Sequence, residues 1–446
     1  MTASDSLSVR LAAWSNALRW NDVPQTQRDL LHLRVLDTVG LLLAGARSEA
    51  SAIARTVAAQ SGGDGAATVA GGGAATAGWA AFTNGIAAHC WDFDDTFPDS
   101  VVHPGSAIVP VALALGEALD ASGEDVCTAI VAGYEIAARL AGFGGRRFHA
   151  RGFHASGIFA PVCSAFVAAR LLGLDAERAA SAVGLAASMS GGLLAFLPDG
   201  TWSKWLHFGW GNLGAITAAQ LAAGGFRGPA GALDRRHNLY EAFIEEAHVD
   251  GDAIVRDLGT EWRSTASVFK LYPCAHVIQG YIDGALALRE RLQAPVTAVR
   301  CAVAPWAVPI VCEPRAEKVR PQTTMHAIAS LPLHVASALL DGGVGLETIG
   351  DLQRVRPDVL ALMQAIEFDE DAGLDRFDAR LTVTTADGAS YTHAGAVADV
   401  DGARMRTKFD GLAAGTLTPQ QSEDLAAAVR DLPRHGAAPV MRFLRA

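Results

Sequence analysis

The chain has 446 residues, about three times the ~150-residue domain prior, so two or three folding units are expected. Its 36 Lys and Arg against 47 Asp and Glu leave a formal charge of −11 and a pI near 5.6, which excludes the basic footprint of a nucleic-acid or anionic-membrane binder. Half the residues are hydrophobic and 19% are charged, a composition that excludes intrinsic disorder.

The first residues carry Asp5 and no apolar run after a basic patch. They do not read as a secretory leader, and the cytoplasm is the expected location. Leu7, Leu11, Trp14 and Leu18 form one stripe of an amphipathic helix beginning near Ser6. Leu31, Val35, Leu36, Val39 and Leu42 form a second, ending at Gly45. Further helices are expected over 107–120 with Ser106 as N-cap, 125–142, 156–172, 176–188, 209–224 and 237–249. Four stretches, 65–91, 152–169, 179–198 and 205–226, contain no Asp, Glu, Lys or Arg. They are rich in Ala, Gly, Ser and Thr rather than Leu, Ile and Val, so they read as buried helices of a soluble protein and not as membrane spans.

The texture changes after Trp262. Residues 296–311 and Arg380–Thr385, the latter followed by Ala386-Asp387-Gly388 and Ser390–His393, read as strands, the last two as a hairpin. His326–Leu340 and Leu346–Val355 read as helices between them. The fold class expected is mainly α: a large helical domain over 1–264, a smaller α+β lid over 265–400, and a C-terminal helical segment, 401–446, packing back on the first domain. Thr418 and Gln421 supply a capping box for that segment. The six cysteines form no C-x-x-C pair, which argues against iron–sulfur or structural zinc sites.

The densest polar patch is 84–106, with His89, Asp92, Asp94, Asp95, Thr96, Asp99 and His103. A solvated loop is the plain reading, and an Mg²⁺ site on Asp92, Asp94 and Asp95 is a poorer alternative because no second acidic cluster completes a cage. A sharper reading joins three places. His103, His154 and Lys204 each precede an expected helix start, where free N–H groups and the helix dipole favour an anion. Removing a C–H proton beside a carboxylate needs a base together with cationic or N–H stabilisation of the enediolate-like state. His103 as base and Lys204 as stabiliser meet that need. Loss of hydroxide, loss of CO₂ or reprotonation from the opposite face would follow from the same step. Glu135 and Arg139, at i and i+4, read as a helix salt bridge.

Segments spread along the chain resemble the MmgE/PrpD family: LDTVGLLLAG (36–45), NGIAAHCWDFDDT with HPGSAIVPVALALGEA (84–118), AGYEIAARL (132–140), GFHASG (152–157), GLAASMSGG (184–192), FKLYPCAHVIQGYIDGAL (269–286) and SLPLHVASALLDGG (330–343). The resemblance implies a homodimer of two-domain subunits with a metal-free, cofactor-free site in the interdomain cleft, acting on a small di- or tricarboxylic acid. A dehydratase or decarboxylase is the first reading, an epimerase the second, and a catalytically silent carboxylate binder a third. It also implies Asp92, Thr96, His103, His154 and Lys204 in the pocket, with Lys270, His276, Gln279 and Leu333 as further substrate contacts. Gln279 and Leu333 stand where the family often has histidine and tyrosine, a change expected to bear on substrate choice.

Overall fold

In the computed structural model, residues 5–374, 377–397 and 399–445 are described. The chain is mostly helical, with a small mixed four-stranded sheet in its C-terminal region. Two apolar cores account for most of the buried side chains. One runs from Leu7 to Phe269 and takes in Met405 to Leu444. The other spans Cys274 to Val383.

Local signals set many helix starts. The Ser6 hydroxyl accepts from the Val9 N–H at the head of Leu7–Ala17, Ser122 from Asp125 at the head of Gly123–Gly144, and Asp175 from Arg178 at the head of Ala176–Ser188. Thr418 and Gln421 form the expected capping box on Pro419–Arg430. Gly123–Gly144 is long and apolar enough to cross a membrane, yet 83% of its apolar window is buried inside the protein, so it serves as a core helix. The charge-free stretches contribute the buried helices Ala77–His89, Ala155–Leu171 and Ser203–Ala223. Their backbones come close because glycines sit at the contacts: a Cβ on Gly209 would lie 2.8 Å from the Phe82 carbonyl oxygen.

Some boundaries differ from expectation. The helix expected from 107 begins at Gly105, with Pro104 as N-cap and Ser106 inside its first turn. The helix expected from 209 begins at Ser203, which places Lys204 within its first turn rather than ahead of it. The 237–249 segment is helical only over Leu239–Ile244. Residues 326–340 break into Thr324–Ile328 and Leu331–Asp341, where Ser330 caps a new start with Pro332 at its head.

The lid sheet has the order Ile366–Glu370, Val296–Val303, Ala379–Thr385, Ser390–Gly395. The first pair is parallel and the other two are antiparallel. The strand expected to run on to 311 stops at Val303, and Val308–Val311 turns helical. Ile366–Glu370 was not expected as a strand; its burial pattern shows one buried residue followed by exposed and half-buried ones, so its own sequence lacks a clean alternation.

Two buried charge pairs fasten the parts together. Arg139 is bound to Glu135 at 2.6 Å and also donates to the carbonyls of Ile254, Arg256 and Glu261, while Glu135 accepts from the Arg263 and Ser264 N–H groups. The i, i+4 pair therefore does more than brace its helix: it anchors the loop that leads to the lid. Lys408, on the Gly402–Ala413 helix, contacts Asp37 at 2.6 Å and donates to the Phe93 carbonyl at 2.7 Å. Burial raises the Asp37 pKa to about 6, with Lys408 opposing the rise. Removing one partner of such a pair strands the other. Lys408→Ala is expected to lower stability by about 3–5 kcal/mol at pH 7.5, less at pH 5 where Asp37 takes up a proton. Urea unfolding at the two pH values checks this, and an equal loss at both would contradict the stranded-charge account.

Candidate active site

The Ala77–His89 helix ends in a loop in which Asp92 adopts a left-handed backbone, φ 49°. Aspartate tolerates this conformation better than most residues. The turn presents both the carboxylate and the backbone carbonyl of Asp92 to Lys270, at 2.7 and 2.6 Å. Lys204 meets the other carboxylate oxygen at 2.6 Å. Burial pushes the Asp92 carboxyl up, but Lys204, Lys270 and His103 outweigh it and hold the group well below the usual carboxylate range. Burial lowers the Lys204 pKa against the pull of Asp92.

His103 lies just ahead of Gly105–Ala118, and its backbone N–H donates to Ser156. Its Nδ1 is 3.1 Å from the Thr96 hydroxyl and 3.3 Å from Asp94 Oδ1. Burial would raise the Asp94 carboxyl, but His89 and His103 outweigh that and keep it well below its usual range. Asp94 also accepts from His89 at 2.9 Å and from the Ser106 hydroxyl at 2.6 Å. The tautomer that suits an ionised Asp94 carries its proton on Nδ1. The Nε2 lone pair of His103 then faces the side of Asp92, 3.7 Å away, placed to accept a proton. Asp94 is thus an orienting carboxylate for His103, a role the sequence reading did not assign. Its five-residue spacing from His89 on a helix end was the available signal.

His154 caps the Ala155–Leu171 helix and shares a proton with His207, Nδ1 to Nδ1 at 2.9 Å. Burial, then Lys204 and His207, lower its pKa well below the ordinary value. Phe208 packs against His89, His103 and His154. The Thr96 backbone pairs with Val268, which ties the 92–103 loop to the segment carrying Lys270.

One cavity of about 130 Å³ joins these groups, lined from the helical side by Asp92, Thr96, His103, His154 and Lys204 and from the lid side by Lys270 and His276. Burial lowers the His276 pKa to about 3. Arg146, His149 and Trp306 also line the cavity; no local motif in the sequence marks them as site residues. With Lys204, Lys270 and Arg146 against Asp92, the charged lining is cationic inside a chain of charge −11, and a small anion is the chemistry it suits.

Two expected contacts are not in the lining. Gln279 accepts from the Leu271 and Tyr272 N–H groups and donates to the Tyr272 carbonyl and Cys274. Its amide is fully used in clamping the loop that follows Lys270, so it supports the site from behind. Leu333 is 1% exposed within the lid core, held there because its helix turns an apolar face inward. A direct influence of either side chain on the substrate is not what their positions allow.

One ligand atom each from His89, Asp92, Asp94 and His103 lies within 4.8 Å of the others. The Asp92 oxygens already face two ammonium groups, and Asp94 is taken by His89 and Ser106. A divalent cation would stand against those ammonium charges, so the donor set fits an ion-pair cluster better than a metal cage.

The fold and the pocket define a two-domain helical protein with a cationic, imidazole-lined cleft under an α+β lid. The chain belongs to the MmgE/PrpD family: residues 9–252 match its N-terminal domain and 272–433 its C-terminal domain. It is 30% identical over 331 residues to the human protein named cis-aconitate decarboxylase, covering 70% of this chain and 66% of that protein. It is 27% identical over 326 residues to the mouse cis-aconitate decarboxylase, with the same shares. The Aspergillus terreus cis-aconitate decarboxylase is 24% identical over 301 residues, covering 65% of this chain and 61% of that protein. The match thus spans just under two thirds of the length of these relatives.

The buried imidazoles set the acid response. Burial lowers the pKa of His89, His149, His207 and His334 to about 4 and of His276 to about 3. The unfolded chain, with histidines near 6.5, binds more protons below that pH, so stability is lost as pH falls from 6.5 towards 4. Asp37 and Asp95, raised by burial to about 6 and about 7, act in the opposite sense over the same window, but they are outnumbered. The melting temperature is expected to fall steadily from pH 6.5 to 4 in scanning calorimetry; a flat or rising profile would count against neutral buried imidazoles.

Proposed function

We propose that the protein is a cofactor-independent lyase that acts on a small di- or tricarboxylic acid and removes CO₂ from it. The observation that carries this reading is the pairing of Asp92 with Lys204 and Lys270 beside the free Nε2 of His103, within one cavity. A substrate carboxylate can share the two ammonium groups with Asp92. When the C–CO₂ bond breaks, the electron pair stays on carbon and spreads into a neighbouring carboxylate, where the lysines stabilise the added charge. His103, having first taken a proton from water at Nε2, then delivers it to that carbon and returns to the neutral imidazole.

Loss of hydroxide would need a strong proton donor on the leaving oxygen. The other imidazoles that line the cavity, His149, His154 and His276, are held neutral by burial, which makes them poor acids and favours CO₂ as the leaving group. The names of the similar proteins point the same way. Epimerisation would call for a second acid on the opposite face and meets the same difficulty.

The test is incubation with cis-aconitate and a panel of other di- and tricarboxylates in D₂O, reading CO₂ release and deuterium in the product. Turnover is expected to survive EDTA. His103→Ala should lower kcat about 10²–10⁴-fold and Lys204→Ala about 10²–10³-fold, with circular dichroism unchanged. Deuterium exchange without CO₂ release would favour the epimerase, binding without exchange would favour a silent binder, and full activity in either variant would refute the roles given.

The protein is proposed to work as a homodimer in the cytoplasm, where its six buried free thiols suit a reducing compartment. Trp202, Leu206, Trp210 and Leu221 follow one side of the Ser203–Ala223 helix and its cap, and Trp210 is 55% exposed. An exposed apolar stripe of that kind is a partner surface. Trp210→Asp should shift the mass in multi-angle light scattering from dimer to monomer; a monomeric wild type would overturn the assignment.

A further inference from the structure

Arg146 follows the Gly123–Gly144 helix and belongs to the helical domain, whereas Trp306 follows the Val296–Val303 strand of the lid. The two meet at the cavity, with the guanidinium carbon 4.3 Å from the indole ring centroid. One Arg146 nitrogen, Nη2, reaches the Pro98 carbonyl at 3.4 Å. Stacking on an aromatic ring occupies the face of a guanidinium and leaves its N–H edge for in-plane hydrogen bonds, the edge that matches a carboxylate in bidentate fashion. His149, three residues on, lines the same cavity, and its Nδ1 is buried without a hydrogen-bond partner. It feels the charges of Lys204, His103 and Arg146, so it lies within reach of both cationic parts of the pocket.

The proposed lyase reading uses Lys204, Lys270 and His103 and leaves Arg146, His149 and Trp306 without a task. Resting on that reading, we propose that Arg146 and His149 form a second anion subsite that binds the distal carboxylate of the substrate, with Trp306 presenting the Arg146 fork from the lid. The subsite selects for acids bearing a carboxylate beyond the one shared by the two lysines. It also makes lid position sensitive to substrate length, because the stack joins the two halves of the cleft. Arg146 is a specificity-determining residue in this scheme, and the proton transfer at His103 does not pass through it.

The experiment uses two unreactive probes, glutarate and its one-carboxylate counterpart butyrate, titrated into the full-length protein by calorimetry. Wild type is expected to bind glutarate more tightly. Arg146→Met should weaken glutarate about tenfold or more and leave butyrate within about twofold, so that the preference disappears. Trp306→Ala should reduce the preference in part, and Trp306→Phe should restore it. Thermal melts of each variant report folding separately. Equal weakening of both probes by Arg146→Met, or no weakening of either, would overturn the subsite while leaving the lysine site intact. Lys204→Met binding both probes as wild type does, or wild type binding neither, would instead refute the site reading on which the subsite rests.

Discussion

The site depends on a single buried carboxylate, Asp92, held between two ammonium groups and next to an imidazole. None of these three charges could be buried alone at tolerable cost; together they offset one another. The arrangement has a geometric price as well as an electrostatic one. Asp92 takes a left-handed backbone, and the lysines come from the first turn of a long helix and from the start of the lid. The mutual pairing is therefore what draws the helical domain and the lid to one point.

The charge distribution follows from that pairing. The protein as a whole is acidic, but its interdomain cavity carries more positive than negative side chains. The net charge repels an approaching anion, whereas the cationic lining of the cleft attracts it. Apolar side chains such as Phe196, Ile310 and Met325 complete the lining, lowering the local polarity in which those few charges act. Burial keeps most nearby histidines neutral, which leaves His103, oriented by Asp94, as the group placed for proton transfer.

Much of this was legible in the sequence wherever the signal is local. Ser6, Ser122, Asp175 and Thr418 mark helix starts through contacts three residues away, and the Ala386-Asp387-Gly388 turn marks the lid hairpin. His103, His154 and Lys204 could be grouped because each stands near a helix start. What escaped depends on contacts across the chain. Whether Gln279 faces the substrate or clamps the 271–274 loop is decided by the path of that loop. The burial of Leu333 is decided by which face its helix turns to the lid core. Arg146 and Trp306 gain meaning only when two domains bring them together. Ile366–Glu370 becomes a strand because Val296–Val303 offers it a parallel edge, with little periodicity of its own to announce it.

The Lys408 contact has a bearing on the order of assembly. Its ammonium donates to the Phe93 carbonyl across a separation of 315 residues, immediately beside Asp92. During synthesis the nascent chain makes the polar loop early and waits for a late helix to brace it. Until that helix docks, the loop lacks its final support, so competence of the cleft waits on synthesis of the chain at least as far as that helix.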